Sequence, residues 1–173
     1  MQINTKESNM AEEIIKKVSD SIVETVHIVR PTHLNGAGRL FGGALMQWID
    51  ETAGLVSKRH CHHNITTVSV NNLHFIKGAY PGDDVILIGK LTYVGSTSME
   101  VKVETYVETM DGERTLINRA YLTMVALDKD DKPIRVPRLA LETEEERIDW
   151  EKAEKRAAIA KKQRHDPDNV WNY

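Results

Sequence analysis

One carboxylate and a pair of glycines in the same segment of the chain could together provide a base or nucleophile and a site for an anion, although a tight loop-to-helix turn would need the glycines equally. Asp50 follows Gly42-Gly43 by about two helical turns in Leu40–His60, a segment that is rich in apolar residues and free of proline. Glycines at the start of a helix leave backbone N–H groups uncovered, and with the helix dipole these groups stabilise an anion or a developing oxyanion. A carboxylate on the same helix supplies a general base or a nucleophile.

Asp50 lies between an apolar face and a wet edge on a helical wheel of about 100° per residue. Its flank carries small residues, so another backbone or a ligand can approach closely and partly withdraw the carboxylate from water. An ordinary surface aspartate, paired with Lys58 or with a charge across an interface, is the alternative. The apolar face consists of Leu45, Ile49, Thr52 and Val56, the wet edge of Gln47, Glu51 and Lys58, and the flank of Gly43, Met46, Gly54 and Ser57.

Alternating patterns on both sides of this helix predict a sheet. Ser21–Pro31 alternates around β-branched residues and ends in proline, which predicts a first strand. Asp111-Gly112 between two alternating runs predicts a hairpin. In Met99–Thr109, apolar and charged side chains alternate, so we expect one buried and one solvated face. The strands predicted after the helix are Ile65–Ile76, Asp84–Val94, Met99–Thr109 and Arg114–Leu127.

The order of these elements predicts an α+β fold. A five-stranded antiparallel sheet that wraps around the single apolar helix is the economical packing, and a doubly wound α/β fold is excluded because strands and helices do not alternate. Thr143 and Glu146 form a capping box that starts a charged C-terminal helix, whose mixed charges favour a solvated or oligomer-contacting role over a nucleic-acid arm. The predicted regions are a lead-in at residues 1–20 with a helical pattern around Ala11–Val18, a domain at residues 21–141, a helix at residues 142–164 and a tail at residues 165–173.

Composition and charge narrow the function classes. The chain has 173 residues, one cysteine and a formal net charge of −3. Binding to nucleic acid through bulk charge is therefore not expected, and a single thiol excludes an internal disulfide. The sequence contains neither an apolar run long enough to span a membrane nor an apolar signal core in its first residues. These features predict a cytoplasmic protein without membrane or nucleic-acid partners.

The stretch from Pro31 to Glu51, PTHLNGAGRLFGGALMQWIDE, resembles the signature of the hotdog-fold acyl-CoA thioesterases of the cytosolic acyl-CoA hydrolase type. The pattern of an asparagine, spaced glycines, Leu-Phe-Gly-Gly and Ile-Asp is long and therefore specific. Later segments are similar to the family at matching places, and the likeness extends from about Ser21 to Glu146. These segments are Thr67–Val70, Phe75, Gly82-Asp83, Gly95–Met99 and Val136-Pro137.

The resemblance implies a hotdog domain at residues 21–141 that hydrolyses acyl-CoA thioesters to a free acid and CoA, with a role in lipid metabolism. It also implies a homo-oligomer, in which two sheets pair edge to edge around the active site and three such dimers form a homohexamer. By position, Asp50 would be the catalytic carboxylate, Asn35 would act from the partner subunit, and the Gly43 N–H would polarise the thioester carbonyl. Thr67 would help to position the attacking water. Whether Asp50 attacks the carbonyl itself or activates water stays open.

Coenzyme A carries phosphates, which are bound by cations and hydroxyl donors. Gly42, beside Gly43, is expected to contact the substrate. The resemblance implies no cofactor, since CoA is part of the substrate and the product, and a thioester is electrophilic enough to react without a metal. The candidate CoA contacts are the basic residues Lys77, Arg135 and Arg138 and the hydroxyl residues Ser96, Thr97 and Ser98.

The run His60-Cys61-His62-His63 invites a metal or Cys-His interpretation. Consecutive residues cannot easily converge on one ion, and adjacent side chains at a helix end point in different directions. We therefore expect no metal site here, and we expect His60 to interact with the dipole at the C-terminal end of the helix.

The sequence leaves two alternative functions open. An acyl-CoA-binding sensor would bind CoA esters without turnover, although no DNA-binding element is visible. A hotdog enoyl-CoA hydratase would keep the fold, but its chemistry recruits a histidine near the acid, and only His33 lies close in sequence.

Overall fold

The computed structural model describes residues 14–164. One helix packs on one face of a five-stranded antiparallel sheet, called here the inner face, and a second helix crosses the outer face. The elements in chain order are β1 (Ile15–Lys17), a 3₁₀ turn (Val18–Ser21), β2 (Val23–Ile28), a second 3₁₀ turn (Pro31–His33), α1 (Gly42–Cys61), β3 (Asn64–Phe75), β4 (Asp84–Val94), β5 (Ser98–Glu108), β6 (Arg114–Leu127), β7 (Arg138–Ala140) and α2 (Glu144–Arg164).

The main sheet has the strand order β2-β4-β5-β6-β3, and every neighbouring pair is antiparallel. The predicted α+β architecture is confirmed, and β4 and β6 have the predicted boundaries. β2 and β3 form the two edges of the sheet within the described residues. Because β3 is an edge strand, its outward backbone groups and exposed side chains are available to another chain.

Helix α1 packs on the sheet through the face that the wheel predicts. Leu45, Ile49, Thr52 and Val56 are buried. The helix approaches β4 so closely that a Cβ at Gly89 would lie 2.8 Å from a methyl carbon of Val56, which explains a glycine in the middle of this strand. This close contact fixes the position of the opposite flank of α1, which carries the candidate carboxylate.

The outer face of β5 is not solvated, contrary to the prediction for Met99–Thr109. Glu100 and Lys102 are each only 7% exposed. Helix α2 covers them, and it brings Asp149 to within 2.8 Å of the Lys102 ammonium and Arg156 into a two-pronged contact with Glu100. Alternation in the sequence correctly separated the two faces, but it could not show that a charged helix covers the charged one.

Helix α2 begins with the predicted capping box. The Glu146 N–H donates to the Thr143 hydroxyl, and the Glu146 carboxylate accepts from the Thr143 N–H. The solvated alternative predicted for this helix is wrong for its sheet-facing side, because Trp150 packs 4.6 Å from the ring of Tyr93 and Ala153 is fully buried.

The helical pattern predicted around Ala11–Val18 is wrong where the structure describes it. Ile15–Lys17 pairs in parallel with Arg138–Ala140, and Lys16 donates a 2.6 Å hydrogen bond to the His60 carbonyl. Residues 11–13 and the predicted tail at residues 165–173 lie outside the described residues. Between residues 14 and 164, no helix has the length and apolar character needed to cross a membrane.

Candidate active site

Asp50 and Thr67 meet between helix α1 and edge strand β3. The Thr67 hydroxyl lies 2.6 Å from Oδ1 of Asp50 and 3.6 Å from the sulfur of Met124, so the carboxylate is its better acceptor. Thr67 is half-buried, whereas Asp50 is exposed. A single chain therefore does not provide the desolvation that we expected from the small-residue flank.

The N-terminus of α1 is open to an outside acceptor. Phe41 occupies the N-cap position and makes no side-chain hydrogen bond to the first turn. The first N–H groups of a helix have no partner within the helix, and those of Gly42 and Gly43 belong to that set. Gly43 precedes Asp50 by seven residues, which places both on the same side of the helix about 10 Å apart along its axis.

Two aromatic rings flank the glycine pair. A Cβ at position 43 would overlap the ring of Phe41, and a Cβ at position 42 would lie 3.3 Å from Cζ of Phe75. A side chain at position 43 would therefore require the exposed Phe41 ring to move. Sequence reasoning did not single out Phe41, although the chain contains only two phenylalanines and both are at this point.

Asn35 holds its own loop together. Its side-chain Oδ1 accepts hydrogen bonds from the backbone N–H groups of Ala37, at 2.9 Å, and Arg39, at 3.2 Å. The backbone N–H of Asn35 donates to the Arg39 carbonyl at 2.8 Å. With Oδ1 engaged twice, the amide nitrogen Nδ2 is the group that this side chain offers to a substrate or a water molecule.

A cavity of about 450 Å³ lies beside this loop and the start of α1. It brings together Asn35, Gly42 and Lys77, three of the residues named from the sequence. Leu40, Phe75 and Ile76 give it an apolar side, and Arg39 adds a second cation beside Lys77. The exposed Arg39 was not named from the sequence, although it lies within the Pro31–Glu51 stretch that carries the resemblance.

The other predicted CoA contacts lie at the opposite end of the sheet. The Ala126 N–H donates to the Thr97 carbonyl, whereas the Lys77 N–H donates to the carbonyl of Ile117. Ile117 and Ala126 are nine residues apart in β6, so about 30 Å separates Lys77 from Thr97. Lys77 and Thr97 of one chain are therefore too far apart to contact the same phosphate group.

Ser96, Thr97, Ser98 and Arg135 form a second group at that far end. The Val136 N–H donates to the Ser96 carbonyl, which places Arg135 next to the serine-rich turn. Ser98 also lines a cavity of about 370 Å³ between the sheet and the C-terminal half of α2. Arg138, the third basic candidate, lies in β7 and not in a loop.

The His60–His63 run divides into a buried half and an exposed half. His60 and Cys61 are buried, whereas His62 and His63 are exposed. Burial raises the pKa of the Cys61 thiol, which disfavours the thiolate that a nucleophile or ligand requires. No group of three or more potential ligand side chains that could hold a metal ion occurs in residues 14–164.

His60 lies in the last turn of α1, as predicted, but it does not place a positive charge at the C-terminal dipole of the helix. It is fully buried, and Nε2 lies 3.0 Å from the Pro137 carbonyl. Since a carbonyl only accepts, Nε2 carries the hydrogen, and buried Nδ1 has no partner. Burial lowers the pKa of the imidazole, which is thereby kept neutral.

Comparison with known proteins places this chain in a family. Residues 37–112 match the model of the thioesterase superfamily. An uncharacterised acyl-CoA thioester hydrolase of Bacillus subtilis is 42% identical over 126 residues, which are 72% of this chain and 73% of that protein. The cytosolic acyl coenzyme A thioester hydrolase of Rattus norvegicus is 33% identical over 86% of this chain, and the match spans 40% of that longer protein.

Solved structures have the same fold. A hexameric acyl-CoA thioesterase, in its apo form, superposes with a TM-score of 0.83 at 36% identity, covering 87% of this chain and 97% of that one. The acyl-CoA hydrolase of Staphylococcus aureus, in complex with butyryl coenzyme A and coenzyme A, gives a TM-score of 0.82 at 31% identity, covering 87% and 92%. Variants of that hydrolase in which an asparagine, an aspartate or a threonine is replaced by alanine match equally well.

Proposed function

This chain belongs to the thioesterase superfamily, and we propose that it hydrolyses acyl-CoA thioesters to a free acid and CoA. The observation that carries the proposal is the hydrogen bond from the Thr67 hydroxyl to Asp50. Asp50 lies on helix α1, whose first amides, those of Gly42 and Gly43, have no side-chain cap. This arrangement supplies a base or nucleophile and an oxyanion donor, which acyl transfer from a thioester requires.

In the proposed mechanism the two oxygens of Asp50 have different tasks. Thr67 holds Oδ1, so Oδ2 remains to take a proton from water or to attack the carbonyl carbon directly. Gly43 of the same chain lies about 10 Å from Asp50 along the helix, so the Gly43 N–H that stabilises the oxyanion comes from the paired copy, together with its Asn35. The C–S bond then breaks, and the CoA thiolate takes up the proton that Asp50 removed from water or, after direct attack, a proton from solvent. Direct attack would pass through an anhydride at Asp50, which water then hydrolyses. No step requires a cofactor or metal, because the thioester is already electrophilic.

The residue assignment has support from the Staphylococcus aureus variants. The asparagine, aspartate and threonine replaced in that hydrolase are separated by 15 and 17 positions. The same separations connect Asn35 to Asp50 and Asp50 to Thr67 in this chain. We therefore assign the proposed catalytic roles to these three residues together with Gly43.

We propose that two copies pair along the β3 edge, so that Asn35 of one copy faces Asp50 of the other. The support is an exposed edge strand that carries Val68, 53% exposed, and Val70, 41% exposed, next to Thr67. Burial of these side chains against a second copy would remove the apolar surface from water and desolvate Asp50. Three such dimers would form a homohexamer, the state named for a structural neighbour.

The two ends of the sheet would then serve one substrate from different subunits. Lys77 and the Ser96–Ser98 turn are too far apart within one chain, so we propose that they contact a single CoA only across the oligomer. Arg135, beside Ser96, would join the second group. A cytoplasmic location is part of the proposal, supported by the cytosolic rat relative.

The test is an assay of the purified full chain with short-, medium- and long-chain acyl-CoAs, in which a thiol reagent detects released CoA. We expect turnover in the presence of EDTA, and we expect Asp50→Ala to lower kcat by at least about a hundredfold. Glu51→Ala is the matched control, since Glu51 is the next carboxylate on α1 and accepts an exposed 2.9 Å hydrogen bond from the Gln47 side chain.

Three outcomes would contradict the proposal. Wild-type turnover by both Asp50→Ala and Asn35→Ala would refute the mechanism. Tight binding of a CoA ester with no thiol released over hours would favour the acyl-CoA sensor. Water addition to an enoyl-CoA, without thiol release, would favour the hydratase.

A further inference from the structure

We propose that Phe41 is a specificity-determining residue, whose ring contacts the acyl group next to the thioester carbonyl and disfavours branching at the α-carbon. This inference deepens the proposed thioesterase function and rests on it. It assigns a role to a side chain whose position the packing of a single chain does not explain.

The first observation is the location of the phenylalanines. The chain contains two, Phe41 and Phe75, and each packs against one member of the Gly42-Gly43 pair. Both side chains are 55% exposed, so neither is a core residue of this chain. Phe75 and Gly42 also line the 450 Å³ cavity that contains Asn35. The only phenylalanine rings of the protein are thus concentrated at the proposed oxyanion donor.

The second observation is that Phe41 is a poor choice for helix stability. It occupies the N-cap of α1, where Ser, Thr, Asp or Asn would satisfy a first-turn N–H with a side-chain oxygen. Such a residue would also occupy the amides that the proposed oxyanion needs. A phenylalanine leaves those N–H groups open and places an apolar surface beside them.

The third observation is how closely the ring and the glycine approach each other. A Cβ on Gly43 would overlap the ring, so the ring lies directly over the residue whose N–H polarises the carbonyl. A carbonyl oxygen bonded to that N–H places the α-carbon of the acyl group within roughly 5 Å of the Gly43 nitrogen. The first carbons of the acyl chain are therefore within reach of the ring, and a straight chain can lie along it. We expect a branch at the α-carbon to be disfavoured, because it adds a methyl group to an acyl chain that already lies against the ring.

The test compares two acyl groups of equal size, the straight butyryl-CoA and its α-branched isomer isobutyryl-CoA. We expect the wild type to have the higher kcat/KM for butyryl-CoA. In Phe41→Ala, kcat/KM for butyryl-CoA should fall about fourfold for each methylene that loses contact with the ring, and the ratio of the two substrates should move towards one. Phe41→Tyr keeps the ring and should keep the wild-type ratio.

Controls separate this role from a structural one. Met110→Ala, at the exposed turn between β5 and β6, should leave the ratio unchanged. Phe41→Leu keeps an apolar side chain without a planar ring, and it should give an intermediate ratio even if Phe41→Ala does not fold. The oligomer mass of each variant should equal that of the wild type.

A wild-type ratio in Phe41→Ala or Phe41→Leu would overturn the inference, and so would a changed oligomer mass with an unchanged ratio, which would assign Phe41 to an interface. If the wild type hydrolysed neither substrate nor any longer acyl-CoA, the thioesterase function itself would fail. That result is distinct from wild-type turnover of both substrates without selectivity, which would overturn only the role of Phe41.

Discussion

The hydroxyl of Thr67 donates a 2.6 Å hydrogen bond to Oδ1 of Asp50, and this contact connects edge strand β3 to the exposed flank of helix α1. The threonine is half-buried on the inner face of the sheet, and the carboxylate is exposed. A rigid sheet thereby fixes the orientation of a carboxylate that has one oxygen directed to Thr67 and the other available for chemistry.

The Thr67 contact predicts a clear difference between two substitutions. Thr67→Val removes the donor but keeps the shape, whereas Thr67→Ser keeps the hydroxyl. Because a hydrogen bond to a charged group contributes about 1.5–3 kcal/mol, kcat of Thr67→Val should fall by roughly 10- to 100-fold. Thr67→Ser should stay within a few-fold of the wild type. Steady-state kinetics with one acyl-CoA measures both, and equal rates for Val and Ser would show that the hydroxyl has no role.

Two substitutions of Asn35 should distinguish its structural role in the loop from its role in the reaction. Asn35→Asp keeps an oxygen that can accept from the Ala37 and Arg39 N–H groups, so the melting temperature should stay close to that of the wild type. It loses the Nδ2 donor, so kcat should fall as far as in Asn35→Ala. Asn35→Ala should lose activity and also about 1 kcal/mol of stability. Full activity in Asn35→Asp would indicate that only the loop contacts matter.

The pair formed by Glu100 and Arg156 should contribute to the stability of the fold. Their side chains are 9% and 24% exposed, and the Thr92 hydroxyl also donates to Glu100. Removing one partner of a fully buried pair costs about 3–5 kcal/mol, and residual solvent contact reduces this to about 2 kcal/mol for Arg156→Met. Urea unfolding of the full chain measures the loss.

Two further variants test the explanation for Arg156. The double variant Glu100→Met with Arg156→Met leaves no unpaired charge and should recover much of the stability. Lys17→Met breaks the exposed pair with Glu142 and should cause no measurable change. If Lys17→Met were as destabilising as Arg156→Met, burial would not be the cause.

His60 predicts a pH dependence of stability. Burial lowers its pKa below the ordinary 6.5, so the unfolded chain binds a proton more readily than the folded one. Stability from this group is complete above pH 6.5 and is lost as the pH falls through the folded-state pKa, by at most about 1.4 kcal/mol per pH unit. The physical reason is that buried Nδ1 has no acceptor for an added proton.

His60→Gln is the non-titrating comparison. The free energy of unfolding, measured in urea at pH 7.5 and 5.5, should decrease less in the variant than in the wild type. Burial also lowers the pKa of His27, which acts in the same direction but is present in both proteins and therefore cancels. An identical decrease in both proteins would contradict the prediction.

The sequence by itself determined the five strands of the main sheet, both helices and the position of the acid, but not the short strands β1 and β7. The spacing of Leu45, Ile49, Thr52 and Val56 gave the buried face of α1, because helical periodicity depends only on neighbours along the chain. Turn chemistry placed the strands, and the Thr143–Glu146 capping box gave the start of α2 for the same local reason. The position of Asp50 on a flank of α1 follows from the same wheel.

Only the tertiary structure decided what lies against these elements. The charged side of β5 is buried because α2 supplies Asp149 and Arg156 from about 50 residues away, and no local pattern encodes that pairing. The same holds for Phe75, which reaches Gly42 only because β3 passes the start of α1, and for Thr67, which reaches Asp50 across 17 residues. The separation of Lys77 from Thr97 also depends on strand register, which side-chain types alone do not specify.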